Sequence, residues 1–204
     1  MNTHFLQRIR QAQQQKQTQI VLLLRPQMSR LPLPIQRFDD PFLPLSRMII
    51  DAAHPYIAAV IFDMAAYLAL GAAGAVALER AIAYAGSRSE LLSILHVPFA
   101  TPDYAAATSA LAFAPDGVTV THADLIPAYV LRHQAGVFVV GADSSDSCHS
   151  RYDPVRGVLR VAAPDYNSAL QVVGDEVVYS SVGDDFAQAA AAALMSRVGR
   201  LDEQ

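Results

Sequence analysis

Short apolar segments alternate with helical segments along residues 20–140 of this chain. Five mainly apolar runs have the length and composition of buried strands, at 20–24, 57–62, 91–95, 118–121 and 137–140. Segments with a helical pattern lie between them, at 44–53, 64–85, 104–112 and 126–132. Strands that are apolar throughout and separated by helices are typical of a parallel sheet covered on both faces. The sequence therefore predicts an α/β fold built on a parallel sheet.

The pattern changes after residue 140. Residues 141–157 are polar and rich in turn-forming residues, and they show no helical period. Three strand candidates follow in close succession, at 158–162, 169–173 and 177–181, before a final helix at 185–198. The intervals between these strands are too short for helical crossovers, which need about a dozen residues or more. We predict a reduced, TIM-barrel-like (β/α)8 fold that has lost crossover helices in the region 141–176, and whose closure the sequence leaves open.

A single folded domain is expected from the length of 204 residues, which is short for a barrel of this type. The first segment, 5–17, places apolar residues on one face of a helix otherwise made of glutamine and arginine. Such a helix is suited to closing one end of a barrel. We divide the chain into an N-terminal helix or leader, 1–19, and a single α/β barrel-like domain, 20–204.

The composition indicates a protein that works in an assembly. Hydrophobic residues make up 52% and charged residues 17% of the chain, whereas an average soluble domain has about 25% charged residues. Little polar surface is therefore available to cover a monomer, so we expect a homodimer or a hetero-assembly with another protein. The net charge of −4 and the absence of long blocks of like charge argue against nucleic acid as a partner.

The location is predicted to be cytoplasmic. Cys148 is the only cysteine, so no intramolecular disulfide forms and nothing indicates an oxidising compartment. The N-terminal residues lack the apolar core of a secretory signal. The longest apolar tract, 56–78, contains Asp63 and divides into a strand-like half and a helix-like half, so we expect no membrane span.

Four stretches of the chain match a known family in order and spacing. They are FLQRIRQAQ (5–13), IVLLLRP (20–26), the tract 49–85 and SILHVPFATPDYAAAT (93–108). In these stretches the chain resembles the long-form bacterial orotidine 5'-phosphate decarboxylases. VVYSSVGDDFAQAA (177–190) is similar to the family's last strand and helix, whereas 122–175 matches poorly. The resemblance implies a barrel that decarboxylates a nucleotide and pairs with a second copy through the barrel mouth.

The catalytic residues that the resemblance implies are missing from the matching positions. The family has a D-x-K-x-x-D motif at the third strand, whose lysine protonates the carbanion left by carbon dioxide; here the run is HVPFAT, 96–101. Ile61 stands in place of a second lysine, Arg25 in place of an aspartate that meets the ribose, and Val182 in place of an arginine that holds the phosphate. Lys16 is the only lysine and precedes the first strand. We therefore expect no catalytic residue of this type.

Polar residues are nevertheless predicted at the C-terminal ends of the strands, where barrels of this kind carry their functional side chains. The candidates for a rebuilt binding pocket are Arg25, Asp63, His96, Asp103 and His122. His96 and Asp63 are residue types that form acid/base pairs. We favour a simpler interpretation, in which His96 is a histidine hydrogen-bonded at a strand end.

The other polar residues of this mouth carry weaker signals; they are Thr101, Asp124, Asp143, Asp146, Cys148 and His149. His122, Asp143 and His149 lack the compact spacing of zinc ligands, so no metal site is expected. Adjacency of Cys148 and His149 in sequence does not make a reactive thiolate pair. We also expect no cofactor.

Apolar residues are predicted to occupy the space of the former substrate pocket and to form an interface. Phe62, Pro98 and Phe99 are expected to fill the former pocket. Phe99, Pro102 and Tyr104 are expected to form an apolar patch at the mouth that a partner covers.

Three functions stay open at this point. The leading hypothesis is a non-catalytic relative of the decarboxylases that acts as a structural or protein-interaction subunit. The first alternative is a small-molecule binder or enzyme with a rebuilt pocket at the barrel mouth. The second is an orotidine 5'-phosphate decarboxylase of pyrimidine biosynthesis by descent.

Overall fold

A closed barrel of eight strands, in chain order, forms the centre of the molecule. The computed structural model describes residues 3–88, 91–109, 111–130, 136–141, 149–163 and 166–201. The strands are β1 (Ile20–Leu24), β2 (Ala59–Asp63), β3 (Leu92–His96), β4 (Gly117–Val120), β5 (Gly136–Val140), β6 (Arg151–Asp153), β7 (Val158–Ala163) and β8 (Tyr166–Val173). The question of closure is settled by the pairing of β1 with β8, in which Val21 lies beside Val172.

Seven helices of the described residues cover part of this barrel. They are α1 (Thr3–Lys16), α2 (Phe42–Ala53), α3 (Met64–Leu68), α4 (Gly71–Gly86), α5 (Ile126–Val130), α6 (Asp175–Val178) and α7 (Phe186–Leu201). Helix α2 connects β1 to β2, α3 and α4 connect β2 to β3, and α5 lies between β4 and β5. These helices pack on the outer, apolar faces of the strands, for example around Val60 and Leu95.

The strands change direction in the last part of the sheet. Successive pairs from β1 to β6 are parallel, whereas β6 pairs with β7 and β7 with β8 antiparallel. Hairpins therefore replace helical crossovers here, which confirms the loss predicted for 141–176. Strand β8 reflects this change, because Leu170 is buried while Asn167 and Gln171 are exposed. Such alternation is typical of an antiparallel sheet with one face in water.

Three predicted elements differ from the structure. The segment 104–112 was expected to be a helix but forms a 3-10 turn at Pro102–Ala106, where Thr108 donates its hydroxyl to the carbonyl of Ala105 instead of continuing a helix. The segment 177–181 was expected to be a strand, but α6 begins at Asp175 after β8 ends, and acidic residues favour a helix start. Strand β6 is an addition, since no strand was assigned to the polar, turn-rich region 141–157.

Helix α1 closes the N-terminal end of the barrel. Phe5 and Ile9 are buried with the inward-facing residues of the strands. The Phe5 ring meets Phe138 edge-on at 5.6 Å between centroids, and Gly136 leaves room for it, because a Cβ there would lie 2.8 Å from Phe5 Cγ. Asp116 accepts a hydrogen bond from Arg8 of α1. The division into a leader and a barrel domain stays a prediction.

Candidate functional site at the barrel mouth

Side chains from four strands meet at the C-terminal end of the barrel. Asp63 and His96 are neighbours across the β2–β3 ladder and are the last residues of their strands. Thr119 of β4 and Tyr152 of β6 complete the group, through a hydrogen bond and a ring contact with His96. The sequence predicted Asp63 and His96 at this position and missed Thr119 and Tyr152.

His96 is held in place from two sides. Its Nδ1 lies 2.8 Å from Thr119 Oγ1, which also accepts a hydrogen bond of 2.9 Å from the backbone N–H of Val97. The imidazole meets the ring of Tyr152 edge-on, with centroids 5.2 Å apart. Burial lowers the pKa of His96; Asp63 acts to raise it and Arg25 to lower it further. The imidazole is therefore neutral at neutral pH.

Asp63 has a structural role at the start of α3. Its Oδ1 accepts a hydrogen bond of 3.1 Å from the backbone N–H of Ala66, so the carboxylate caps the N-terminus of α3. Aspartate in extended conformation is among the preferred residues at such a position. The carboxylate thus has a structural partner in addition to its charge interaction with His96.

Tyr152 fills part of the barrel mouth. Its side chain is 1% exposed and belongs to the cluster of inward-facing residues. Burial, with a further contribution from Asp63, raises the pKa of the Tyr152 phenol to about 12. The phenol is therefore protonated at neutral pH. The sequence of β6 is Arg-Tyr-Asp, with one aromatic residue between two charged ones. This alternation was the sequence signal from which the inward orientation of Tyr152 could have been predicted.

Arg25 belongs to a second group of charges beside the mouth. Asp175 Oδ2 accepts hydrogen bonds from Arg25 at 3.4 Å, from Arg30 at 2.8 Å and from Gln27 Nε2 at 2.8 Å. The Arg30 guanidinium also stacks over the Tyr179 ring at 4.2 Å. Asp175, the first residue of α6, therefore pairs with both arginines that follow β1.

The remaining candidates lie apart from His96. Asp103 and His122 are exposed at the turns that follow β3 and β4. Among the described residues, no hydrogen bond or ion pair connects either of them to Arg25, Asp63 or His96. Thr101 accepts a hydrogen bond from the Tyr129 hydroxyl through its carbonyl, at 2.9 Å. Asp143, Asp146 and Cys148 lie outside the described residues.

The predicted apolar filling of the mouth is wrong for Phe62. Successive side chains of a strand point to opposite faces, so Phe62 points outward where its neighbour Asp63 points inward. The Phe62 ring packs against Tyr67 of α3, with centroids 6.2 Å apart. Phe99 is 38% exposed in the turn after β3 and meets Tyr104 edge-on at 5.1 Å.

Lys16 lies at the opposite end of the barrel. Its Nζ donates a hydrogen bond of 3.1 Å to the carbonyl of Ile57, a residue that precedes β2 and so belongs to the N-terminal end of that strand. The only ammonium side chain of this sequence is thus separated from His96 by the length of the barrel strands.

Two further findings concern the described part of the chain. No cluster of three or more histidine, cysteine or acidic side chains there has an arrangement suited to a metal ion. None of the helices in the same residues combines the length and apolar character required to cross a membrane.

Comparisons with solved structures identify the kind of barrel. A protein from Toxoplasma gondii assigned as an orotidine-monophosphate decarboxylase superposes with a TM-score of 0.58 at 23% identity, over 69% of this chain and 50% of that protein. For the OMP decarboxylase of Leishmania donovani the TM-score is 0.54 at 16% identity, over 82% and 61%. For orotidine 5'-monophosphate decarboxylase from Plasmodium berghei it is 0.56 at 12% identity, over 70% and 63%.

This chain has the fold of the orotidine-monophosphate decarboxylases. The identities are low, so the likeness concerns the fold alone. No protein-family profile matches the sequence, and no curated protein matches it. The chain spans about half the length of the Toxoplasma protein.

Proposed function

We propose that this chain is a non-catalytic barrel of the orotidine 5'-phosphate decarboxylase type that acts as a structural or protein-interaction subunit. The observation that carries the proposal is the position of Lys16. Its ammonium group donates to Ile57 at the closed, N-terminal end of the barrel, and no other lysine exists in the sequence. A lysine that protonates a carbanion must lie within hydrogen-bond reach of it, and Lys16 cannot meet that requirement at the mouth.

The charged side chains at the mouth support the same proposal. The Asp63 carboxylate caps α3, and the Arg25 and Arg30 guanidinium groups share the Asp175 carboxylate. Transition-state stabilisation by charge depends on groups that are aimed at the substrate. These groups are aimed at one another and at the backbone.

The position of Tyr152 is a second supporting observation. Its buried ring lies against His96, in the part of the barrel where a ligand of this fold class would enter. A nucleotide bound there would have to displace a protonated phenol and an imidazole that is hydrogen-bonded to Thr119. We therefore propose that the mouth is part of the packed core.

Exposed apolar side chains near the mouth support an interaction role. Phe99 is 38% exposed, Pro102 is exposed and Tyr104 is half-buried beside them. Aromatic residues are enriched at protein interfaces because they bury much apolar area at a small entropic cost. We propose that a second copy or another protein covers this patch.

Enzyme assay tests the catalytic part of this proposal. The purified chain is incubated with orotidine 5'-phosphate and the release of carbon dioxide is measured against a buffer blank. No release above the blank is expected. Turnover that is lost on His96→Ala would instead establish the rebuilt-pocket alternative, which the neighbouring Asp63 and neutral His96 favour.

Light scattering tests the interaction part. We expect a mass above the 22.0 kDa of one chain, or co-purification with a partner from the native cells. Tyr104→Asp or Phe99→Asp should weaken the assembly by about 2 kcal/mol, the size of an ordinary interface hot spot. Met195→Asp, at an apolar residue 57% exposed on α7, is the control and should leave it unchanged. A monodisperse monomer with no partner contradicts the interaction role.

A further inference from the structure

A cluster of hydrogen-bond donors surrounds one carboxylate between the ends of β1 and β8. Arg25, Gln27 and Arg30 lie in the loop that follows β1, and Asp175 begins α6 just after β8. Strands β1 and β8 are paired, so the two segments are neighbours. The three side chains donate to the same atom, Asp175 Oδ2, at 3.4, 2.8 and 2.8 Å in that order. The carboxylate therefore lies where the donors converge.

Contacts that do not involve this carboxylate hold the donors in place. The backbone N–H of Gln27 donates to the Tyr179 hydroxyl at 2.8 Å. That hydroxyl donates in turn to the carbonyl of Arg25 at 3.2 Å. The Arg30 guanidinium lies over the Tyr179 ring at 4.2 Å. The donors should therefore stay close together when the Asp175 carboxylate is removed.

The Asp175 carboxylate matches these donors incompletely. Its Oδ1 is buried and has no hydrogen-bond partner among the described residues. Arg25 and Arg30 each contact Oδ2 through one nitrogen, so neither forms the bidentate pair that makes arginine–carboxylate contacts strong. The Arg25 distance of 3.4 Å is also longer than an ordinary N–H···O bond. A tetrahedral oxyanion could offer a separate oxygen to each donor.

The next acidic residue is bonded elsewhere. Glu176 Oε2 accepts a hydrogen bond of 3.2 Å from the backbone N–H of Gly174, and its Oε1 lies 3.5 Å from Arg197 Nη2. Glu176 therefore has its own partners and is not needed to hold the loop after β1.

We propose that Asp175 is an internal counter-ion that closes an oxyanion site formed by Arg25, Gln27 and Arg30. The ligand class is a small oxyanion of the phosphate type, free or as a monoester. In the wild-type chain such an anion competes with a carboxylate of the same chain, which has a high effective concentration at the donors. The inference rests on the proposed function and deepens it, because a closed site accounts for a barrel end that binds no phosphate-bearing nucleotide.

The test titrates the full chain with inorganic phosphate at an ionic strength kept constant with chloride. Calorimetry should show at least tenfold tighter binding in Asp175→Ala than in the wild type, and phosphate should raise the melting temperature of the variant. Asp184→Ala removes the same charge from an exposed residue of a nearby loop and should behave as the wild type. Adding Arg30→Gln to Asp175→Ala should abolish the gain, because it removes a charge-assisted hydrogen bond.

Several outcomes decide against the site. Equal affinities in the wild type and Asp175→Ala overturn it, and so does an equal gain in Asp184→Ala, which would indicate a general charge effect. If Asp175→Ala fails to fold by circular dichroism, Asp175→Asn decides instead, since it removes the charge and keeps the shape of the side chain. Tighter binding of glycerol phosphate than of inorganic phosphate by the variant would support the site and indicate a monoester as its ligand.

Failure of this inference can be distinguished from failure of the proposed function. If Asp175→Ala shows no gain and the wild-type chain releases no carbon dioxide from orotidine 5'-phosphate, this inference alone is wrong. If the wild-type chain binds orotidine 5'-phosphate at micromolar strength, both are wrong, because a phosphate-bearing ligand then binds while Asp175 is in place.

Discussion

His96 lies between a hydroxyl, an aromatic ring and a carboxylate at the end of β3, and burial holds its pKa below the ordinary value. The charged groups that affect its pKa are Asp63 and Arg25, and the Tyr152 ring contacts the imidazole. A lowered histidine pKa means that the unfolded chain binds the proton more readily than the folded one. Neutral His96 therefore contributes to stability above the unfolded value of about 6.5, and this contribution is lost as the pH falls toward the lowered folded value.

The lowered pKa of His96 leads to a prediction for the variant His96→Asn. The free energy of unfolding of the wild-type chain should fall as the pH is lowered from about 6.5, and the fall should be smaller in the variant. Urea denaturation at a series of pH values measures the difference. His122→Asn, at an exposed turn residue, is the control and should keep the wild-type dependence. An unchanged dependence in His96→Asn would contradict the assignment of a buried, neutral imidazole.

At the scale of elements, α1 depends on two close approaches to the strands. The Phe5 ring reaches Gly136 so closely that an added Cβ would lie 2.8 Å from Phe5 Cγ. Asp116 connects α1 to β3, because it accepts from Arg8 and, at 2.9 Å, from the backbone N–H of Ser93. These contacts make the N-terminal helix part of the packed barrel interior.

Gly136→Ala should therefore destabilise the protein by about 1–3 kcal/mol, the range for an overpacked core site. Urea denaturation followed by circular dichroism measures the change. Gly86→Ala is the matched control, because a Cβ at Gly86 meets nothing within 4 Å, and it should be neutral or stabilising. Adding Phe5→Leu to Gly136→Ala should recover part of the loss. A neutral effect of Gly136→Ala would show that Phe5 does not occupy this space.

The elements differ in how well the sequence predicted them. Strands β1 to β5 were found from mainly apolar runs, because a strand buried on both faces leaves a strong signal. Strand β6 was missed because it has only three residues, one of them apolar. The segment 177–181 was misassigned because valine-rich composition favours strands, while the acidic residues before it start a helix.

The candidate site was predictable only in part. Asp63 and His96 follow apolar runs, so their position at strand ends could be read from the sequence. Thr119 lies within β4, and its bond to His96 depends on the register of a neighbouring strand. The pairing of Arg25 with Asp175 joins residues 150 positions apart in sequence, and no local pattern indicates it.

At the scale of the whole molecule, the described helices cover the barrel unevenly. The parallel strands β1 to β5 lie against helices, whereas the hairpins β6 to β8 complete the circle with polar residues on their outer face. The barrel has the full number of eight strands. Hairpins join β6 to β7 and β7 to β8 in place of helical crossovers, so these connections use fewer residues. Closure through β1 and β8 could not be predicted, because it depends on the register of strands far apart in sequence.

Titration calorimetry with UMP tests the central claim most directly. Arg25 and Arg30 are already paired with Asp175, Val182 is 60% exposed where the family resemblance implies a phosphate-binding arginine, and Tyr152 occupies the mouth. The account predicts no binding of UMP at micromolar concentrations, with at most a weak millimolar signal. Saturable binding at micromolar strength would contradict it.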